Sequence, residues 1–232
     1  MSVAEEFDAW AAEGRDRGME RRHWHTAKHV LARMPVAGGE GDASGDAVLD
    51  LGTGSGYALR ALRETGRIDR GYGLDGSPRM VRNARAYTDD PAVSFLVGDF
   101  EAIPLATGAV DAVFSMEAFY YARNPAAALA EVRRVLRPGG TFYCAINYFA
   151  ESEQTADWGA DMGVELTRWS RAEYRAAFRD AGLYVAEQDT IPDREVEIPD
   201  ADAFPTDDWE RRAAMVDRYR RWGTLLTVGV AP

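Results

Sequence analysis

The residues whose types and spacing best suit chemistry lie in the stretch Val48-Leu49-Asp50-Leu51-Gly52-Thr53-Gly54-Ser55-Gly56. An apolar run that holds an acid and then three alternate glycines is typical of a buried strand that ends in a tight turn. Glycine suits this turn because its backbone angles exclude a Cβ atom and because a ligand must approach the main chain closely. The helix that follows presents free N–H groups and a partial positive charge to a polar or anionic ligand. The pattern therefore predicts a nucleotide-type binding turn.

Acidic residues also end the next two predicted strands. The carboxylate of Asp75 can accept both hydroxyls of a ribose, because it is an acceptor only. Asp99 can accept an exocyclic amine, and its neighbour Phe100 can cover the face of a purine. In a parallel sheet these turns share the carboxyl edge, where such sheets bind ligands. A dinucleotide fingerprint has its third glycine three positions after the second, whereas Gly56 follows Gly54 by two, which argues against an NAD-type oxidoreductase.

Strands that alternate with helices are needed to position these residues, and the order of elements predicts an α/β fold with a parallel sheet. A region of two helices with a bend at Gly14 and Gly18 is expected over residues 1–35, followed by a loop over 36–46. Ser77 followed by Pro78 is a helix start signal. The sequence over 148–169 is rich in aromatic residues and has no regular periodicity, so only irregular helix is predicted there. The strands are expected at 47–51, 71–74, 93–97, 110–115, 141–146, 183–189 and 224–230, and the later helices at 57–65, 78–87, 126–136, 170–180 and 208–222.

Five stretches in this order resemble the class I S-adenosylmethionine-dependent methyltransferases, and most closely the branch with the ubiquinone and menaquinone C-methyltransferases. They are VLDLGTGSG (48–56), GYGLDGSPRMV (71–81), VGDFEAIPL (97–105), VDAVFSMEAFYY (110–121) and EVRRVLRPGGTF (131–142). The resemblance implies a Rossmann-like, doubly wound, seven-stranded and mostly parallel sheet with an antiparallel last strand. Helices would cover both faces, with a helical cap at the amino terminus. It also implies S-adenosyl-L-methionine as cofactor and S-adenosyl-L-homocysteine as product.

The same resemblance implies the cofactor-binding residues. The glycines would line the methionine moiety and the ribose, Asp75 would accept the ribose hydroxyls, and Asp99 would meet the exocyclic amine of the adenine. Ser77 and Met80 would flank that adenine. The full predicted set is Asp50, Gly52, Thr53, Gly54, Gly56, Asp75, Gly76, Ser77, Met80, Asp99, Phe100, Met116 and Glu117, the last two near the amino-acid end.

The expected reaction is an in-line displacement on an activated methyl group, which needs a positioned nucleophile and exclusion of water. A general base is needed only where the acceptor must lose a proton. His23, Tyr120 and Tyr121 are the candidate catalytic residues, although both tyrosines also fit ordinary core packing and His23 also fits a solvated or cofactor-capping role. His25 and His29 lie one helical turn apart, but no metal site is expected, because no further histidine or cysteine pair accompanies them.

Composition limits the classes of partner and location. The formal net charge is −11, which opposes binding to a phosphate backbone, so no nucleic-acid partner is expected. No apolar run approaches the roughly 20 residues of a membrane span, so no membrane association is expected either. Cys144 is the single cysteine, and with an acidic amino terminus it favours the cytoplasm. The acidic, arginine-rich composition resembles that of halophiles.

The expected organisation is one methyltransferase domain over 1–232, with a cap at 1–45, a cofactor-binding core at 46–147 and a lid with the last strands at 148–232. The favoured function is methyl transfer to a small-molecule acceptor, and the sequence leaves the oligomeric state open between a monomer and a homodimer. A non-catalytic S-adenosylmethionine-binding module and an NAD-type oxidoreductase are the alternatives.

Overall fold

A computed structural model describes residues 2–34, 46–162 and 165–232, which form a seven-stranded sheet flanked by helices. The predicted loop at 36–46 lies almost entirely outside the described residues. The helices are α1 Val3–Ala12, α2 Asp16–Leu31, α3 Tyr57–Glu64, α4 Pro78–Tyr87, α5 Pro125–Val135, α6 Trp158–Met162, α7 Arg171–Asp180 and α8 Arg212–Val216. The strands are β1 Ala47–Leu51, β2 Arg70–Asp75, β3 Val93–Val97, β4 Val110–Met116, β5 Leu136–Ile146, β6 Tyr184–Ile191 and β7 Thr224–Val230.

The sheet has the strand order β3-β2-β1-β4-β5-β7-β6. Strands β1 to β5 are parallel, whereas β7 runs antiparallel between β5 and β6. The order reverses at β1, which pairs with β2 on one side and with β4 on the other. A crevice opens at such a reversal, outside the carboxyl ends of the strands. The predicted mostly parallel, doubly wound fold with an antiparallel last strand is confirmed.

Alternate residues of the central strands pack on opposite faces of the sheet, because side chains alternate along a strand. Leu49 and Leu51 join one apolar cluster with buried residues of α5 and α7. Val48 joins a second cluster with buried residues of α2, α3 and α4. Helices therefore cover both faces, and every residue of β1 is buried.

Helix starts follow the local signals in the sequence. The Ser77 hydroxyl accepts a hydrogen bond from the Met80 amide at 3.1 Å, so Ser77 caps α4 as predicted. Helix α7 begins with a capping box in which Ser170 and Glu173 satisfy each other's backbone amides. These caps set where each helix begins, and for α4 they place its amino end beside the carboxyl end of β2.

Several predicted boundaries were wrong for identifiable reasons. Gly14, with φ of 73°, separates α1 from α2, but Gly18 lies inside α2 and does not interrupt it. Strand β5 begins at Leu136 rather than 141, because Leu136 pairs with Val110 of β4, while Gly139 and Gly140 hydrogen-bond to Ala231 just beyond the end of β7. The predicted helix over 208–222 starts only at Arg212 and ends in a π-helical turn over Asp217–Trp222.

The aromatic region at 148–169 contains a 3-10 turn over Glu153–Thr155 and the short helix α6. Its rings pack together: Tyr148 stacks near Trp158, with centroids 6.3 Å apart, and Trp169 meets Tyr174 edge-on at 5.2 Å. Among the residues that the structure describes, no helix has the length and apolar character that crossing a bilayer requires.

Candidate active site

A cavity of about 570 Å³ opens at the carboxyl ends of β1, β2 and β4, where the strand order reverses. Most of the residues predicted from the sequence meet there. Those lining the cavity are His23, Asp50, Gly52, Thr53, Gly54, Asp75, Gly76, Ser77, Met80, Asp99, Phe100, Met116, Glu117 and Tyr121. Gly56 and Tyr120 are the two predicted site residues that do not line it.

The glycine turn has the backbone that its sequence implies. Gly52, Gly54 and Gly56 have φ values of 81°, 52° and 78°, a region that side-chain-bearing residues rarely adopt. A Cβ on Gly52 would lie 2.3 Å from the Cβ of Ala118. A Cβ on Gly56 would lie 2.6 Å from the ring of Phe95, so this third glycine allows close packing beneath the turn.

Asp75 ties the glycine turn to the start of α4. One oxygen accepts the amide of Gly54 and the other accepts the amide of Ser77, each at 2.9 Å. Burial nevertheless raises the pKa of this carboxyl above its ordinary value. Each oxygen has further lone pairs, so the carboxylate can accept additional donors from a ligand in the cavity.

Asp50 is a second carboxyl group in the wall, located in β1 and 2% exposed. Its Oδ2 accepts a hydrogen bond from the Thr53 hydroxyl at 2.7 Å. Burial raises the pKa of Asp50 to about 7, and the nearby charge of Asp75 contributes in the same direction. A positively charged ligand group would therefore stabilise its ionised form.

Glu117 follows β4 directly and is 7% exposed. Its φ of 53° makes it the one non-glycine residue with a positive φ in the described part of the chain. Its amide donates to the Ala145 carbonyl at 2.8 Å, and the Tyr120 hydroxyl donates to its Oε2 at 3.3 Å. Oε1 is buried and has no hydrogen-bond partner. Burial raises the pKa of Glu117 to about 8, although the positive charge of Arg218 acts against this shift.

The two candidate tyrosines occupy different places. Tyr120 is buried behind Glu117, whereas Tyr121 lines the cavity. Their rings are tilted, with centroids 4.6 Å apart, and Tyr121 also meets Phe7 of α1 edge-on at 5.1 Å. Burial raises the pKa of both phenols, so both stay protonated at neutral pH. Either can donate a hydrogen bond, but their catalytic roles remain predictions.

Helices α1 and α2 cover the cavity. Asp8 of α1 accepts hydrogen bonds from the Ser77 hydroxyl at 2.7 Å and the Arg79 amide at 2.8 Å, which docks α1 on the start of α4. Phe7 and Met19 add apolar wall on this side. The anchoring role of Asp8 was not predicted, because nothing local in the sequence links it to a helix about 70 residues later.

His23 lines the cavity, and burial lowers its pKa to about 4. At neutral pH its ring is therefore uncharged and only weakly basic, and its catalytic role remains a prediction. His25 lies elsewhere, with its Nε2 atom 3.3 Å from a carboxylate oxygen of Asp193. The described residues contain no group of three or more His, Cys, Asp or Glu side chains placed to hold a metal ion.

Asp99 is exposed at the rim of the cavity rather than buried. Its carboxylate pairs with Arg123 at 3.0 Å, and Arg123 also lies 4.0 Å from Glu101. Sequence reasoning did not single out Arg123, which lines the cavity with Asp99 and Phe100. Tyr57 was also missed: it lines the cavity, and its buried hydroxyl has no hydrogen-bond partner. The sequence did offer a signal for Tyr57, because it is the first residue of α3 and directly follows the glycine turn.

A profile of the family described as a methyltransferase domain matches residues 49–144. A Haloferax volcanii methyltransferase, solved in a complex with the Trm112 methyltransferase activator, is 65% identical to this chain. The match covers 97% of each chain with a TM-score of 0.92. The chain belongs to the class I S-adenosylmethionine-dependent methyltransferases, as the resemblance from sequence implied.

Curated relatives match a shorter part. The malonyl-[acyl-carrier protein] O-methyltransferase of Hahella chejuensis is 35% identical over 130 residues, which are 54% of this chain and 46% of that protein. This chain spans about half or less of the length of such relatives. A geranyl diphosphate C-methyltransferase from Streptomyces coelicolor, solved with S-adenosyl-L-homocysteine, shares the fold at 20% identity. That match covers 90% of this chain and 77% of the other, with a TM-score of 0.67.

The predicted set of partners was wrong. From the sequence we expected a small-molecule acceptor, no nucleic acid and no membrane, with the oligomeric state open between a monomer and a homodimer. The Haloferax volcanii methyltransferase, however, forms a complex with a protein activator. Overall charge and the motifs of the cofactor site carry no information about such a partner, because an activator binds a folded surface whose residues are scattered along the chain.

Proposed function

We propose that this chain is the catalytic subunit of an S-adenosylmethionine-dependent methyltransferase that works together with a Trm112-type activator protein. The observation that carries the catalytic part is the cavity at the sheet reversal, in which the glycine turn, Asp50, Asp75 and Glu117 meet. The activator is inferred from the 65% identity, over 97% of both chains, to the Haloferax volcanii protein that forms such a complex.

The residues present suit the cofactor. Asp75 has lone pairs left to accept ribose hydroxyls, while its bonds to Gly54 and Ser77 keep the glycine turn open to a ligand. Met80 and Phe100 offer apolar and aromatic contact to the adenine. Asp99 would accept the exocyclic amine, in which case its pairing with Arg123 at 3.0 Å must adjust or be shared.

The acidic wall suits the charges of the cofactor, which carries an ammonium group and a sulfonium group against one carboxylate. Asp50 and Glu117 are buried and have few partners, so each would gain from a nearby cation. Tyr57 offers a hydroxyl without a partner that can bind a carboxylate or an amine. We assign Met116 and Glu117 to the amino-acid end, together with the glycines.

When bound, S-adenosylmethionine supplies a methyl group already activated by its sulfonium. The chain then has to position the acceptor in line and exclude water. Helices α1 and α2 exclude water by covering the cavity with Phe7 and Met19. His23, with its lowered pKa, presents a neutral ring that can orient an acceptor, and the Tyr121 hydroxyl can donate to it. Tyr120 acts on the acceptor only through Glu117.

The proposal is tested in two stages. The chain is first co-expressed with a Trm112-type protein from the same host, purified in high-salt buffer, and followed by thermal unfolding with S-adenosylmethionine, S-adenosylhomocysteine and NAD in parallel. A ligand that binds only the folded state at 100 times its Kd adds about 2.7 kcal/mol to the free energy of unfolding, which raises Tm. Stabilisation by the two S-adenosyl compounds, and not by NAD, is expected.

In the second stage, the complex is incubated with methyl-labelled cofactor and with separate RNA, protein and small-molecule fractions of a cell extract. Label in one fraction, and formation of S-adenosylhomocysteine, would support catalysis and identify the class of acceptor. Binding of the cofactor without label in any fraction would favour a non-catalytic binding module. Stabilisation by NAD alone would contradict the proposal, and failure to co-purify with the activator would contradict its second part.

A further inference from the structure

Two buried carboxyl groups in the wall of the cavity have few hydrogen-bond partners. Asp50 has one side-chain donor, Thr53, and Glu117 has one, Tyr120. We propose that Glu117 recognises the positive charge of the donor's sulfonium and so distinguishes S-adenosylmethionine from S-adenosylhomocysteine. The two compounds share their nucleoside and amino-acid groups and differ in one methyl group and one positive charge. This inference rests on the proposed function.

The backbone holds Glu117 in place at a conformational cost. Its φ of 53° is unfavourable for a residue with a Cβ, and such outliers persist where the surrounding structure enforces them. The enforcing contacts are the bond from its amide to Ala145 of β5 at 2.8 Å and the hydroxyl of buried Tyr120 on Oε2. As a result Oε2 of Glu117 is held by the Tyr120 hydroxyl, whereas Oε1 is buried and has no hydrogen-bond partner, although the residue lines the cavity.

A cation does act on Glu117 from within the protein, but it does not satisfy the carboxylate. Arg218 is 6% exposed and lies in the π-helical turn, a feature common at functional sites. Its Nη1 donates to the Gly223 carbonyl at 2.9 Å, and its guanidinium lies 5.5 Å above the ring of Trp158. Despite Arg218 and a hydrogen bond from the Asn147 backbone, burial raises the pKa of Glu117 to about 8, so the protonated form is favoured at pH 7.

The other ionisable groups acting on Glu117 cannot provide the missing positive charge. They are all phenols or a thiol, and burial raises their pKa, so they are neutral at pH 7: Tyr57, Tyr120, Tyr121, Tyr174 and Cys144. A cation that enters the cavity therefore favours ionisation of Glu117, with release of its proton to solvent. Both compounds bring the α-ammonium group, so any difference between them in proton release depends on the sulfonium charge, which the neutral thioether of S-adenosylhomocysteine lacks.

The test is isothermal titration calorimetry of the wild-type chain with its activator, using S-adenosylmethionine, S-adenosylhomocysteine and the amine analogue sinefungin. Each titration is repeated at pH 7 in two buffers of different ionisation enthalpy, which counts the protons released. We expect S-adenosylmethionine and sinefungin to release more protons than S-adenosylhomocysteine. In Glu117→Gln, the ratio of the Kd of S-adenosylhomocysteine to that of S-adenosylmethionine should fall about tenfold, and most of the difference in proton release should disappear.

Asp99→Asn is the matched control. Asp99 also lines the cavity but is exposed and already paired with Arg123, so its substitution should change both Kd values alike and leave their ratio unchanged. Equal proton release by the two S-adenosyl compounds in the wild-type protein would overturn the inference without using a variant. An unchanged ratio in folded Glu117→Gln would overturn it too. Failure of both compounds to bind the wild-type protein would instead refute the proposed function.

Discussion

The substitution Asp75→Ala tests the cofactor site most directly. Asp75 is expected to accept two ribose hydroxyls, and a hydrogen bond to a charged group contributes about 1.5–3 kcal/mol. Losing both therefore costs about 3–6 kcal/mol of binding free energy, which corresponds to a rise in Kd of roughly 10²- to 10⁴-fold. The same side chain accepts the amides of Gly54 and Ser77, so the glycine turn also loses its anchor.

The assay for Asp75→Ala is calorimetric titration with S-adenosylmethionine, with Tm measured in parallel to separate binding from stability. Asp90→Ala serves as the control, because Asp90 also accepts a backbone amide, that of Ala92, and pairs with Arg63, but it does not line the cavity. The control should lower Tm and leave Kd within about twofold. Wild-type affinity in Asp75→Ala would refute the assignment of the ribose site.

Three further outcomes are expected. Gly52→Ala should weaken cofactor binding and lower Tm, because the new Cβ would lie 2.3 Å from the Cβ of Ala118 and φ at this position is 81°. Gly54→Ala should have a milder effect, because no atom lies within 4 Å of a Cβ at that position. Equal effects of the two substitutions would contradict the steric explanation. Asp8→Ala should release α1 from α4 and raise the rate of proteolysis near the amino terminus, and bound cofactor should protect this region from proteolysis less than it does in the wild-type protein. An unchanged rate of proteolysis would show that Asp8 does not anchor α1. The contribution of Glu117 to the stability of the free protein should fall as pH rises from about 5 to 8, by at most roughly 1.4 kcal/mol per pH unit, so urea unfolding should show that wild-type stability declines relative to Glu117→Gln over this range. An identical dependence on pH in that variant would show that the pKa of Glu117 does not differ between the folded and unfolded states.

The sign of this pH dependence follows from proton binding. Because the folded pKa of Glu117 is about 8 and an unfolded glutamate titrates near 4.5, the folded state binds more protons between these values. Stability due to the protonated form is complete below the unfolded pKa and is lost as pH rises through the folded pKa. A bound cation should offset this loss.

The strands were predictable because their signals are local. Apolar runs bounded by glycine, proline and acids located β1, β3 and β7 at the bounds that the structure has, and Ser77-Pro78 located the start of α4. The ligand side of the sheet followed as well, since parallel strands put their carboxyl ends at one edge. The family and its fold could therefore be recognised from one sequence.

Other features depended on contacts between distant residues. The start of β5 at Leu136 depends on its pairing with Val110 of β4, and no local propensity reports this. The π-helical turn after Val216 replaced a predicted regular helix, and it puts Arg218 in the interior. The proposal of a protein partner, likewise, comes from comparison with a related complex and not from composition.

The sequence by itself determined the order of the elements and the residue types along the edge of the sheet, because these depend on local periodicity, capping and turn chemistry. Only the tertiary structure decided how the carboxyl groups behave. Asp50, Glu117 and Asp99 have the same functional group, yet two are buried with few partners and the third is exposed beside Arg123. Desolvation depends on every element packed around a group, so the charge that a carboxyl carries in the cavity is a property of the whole fold.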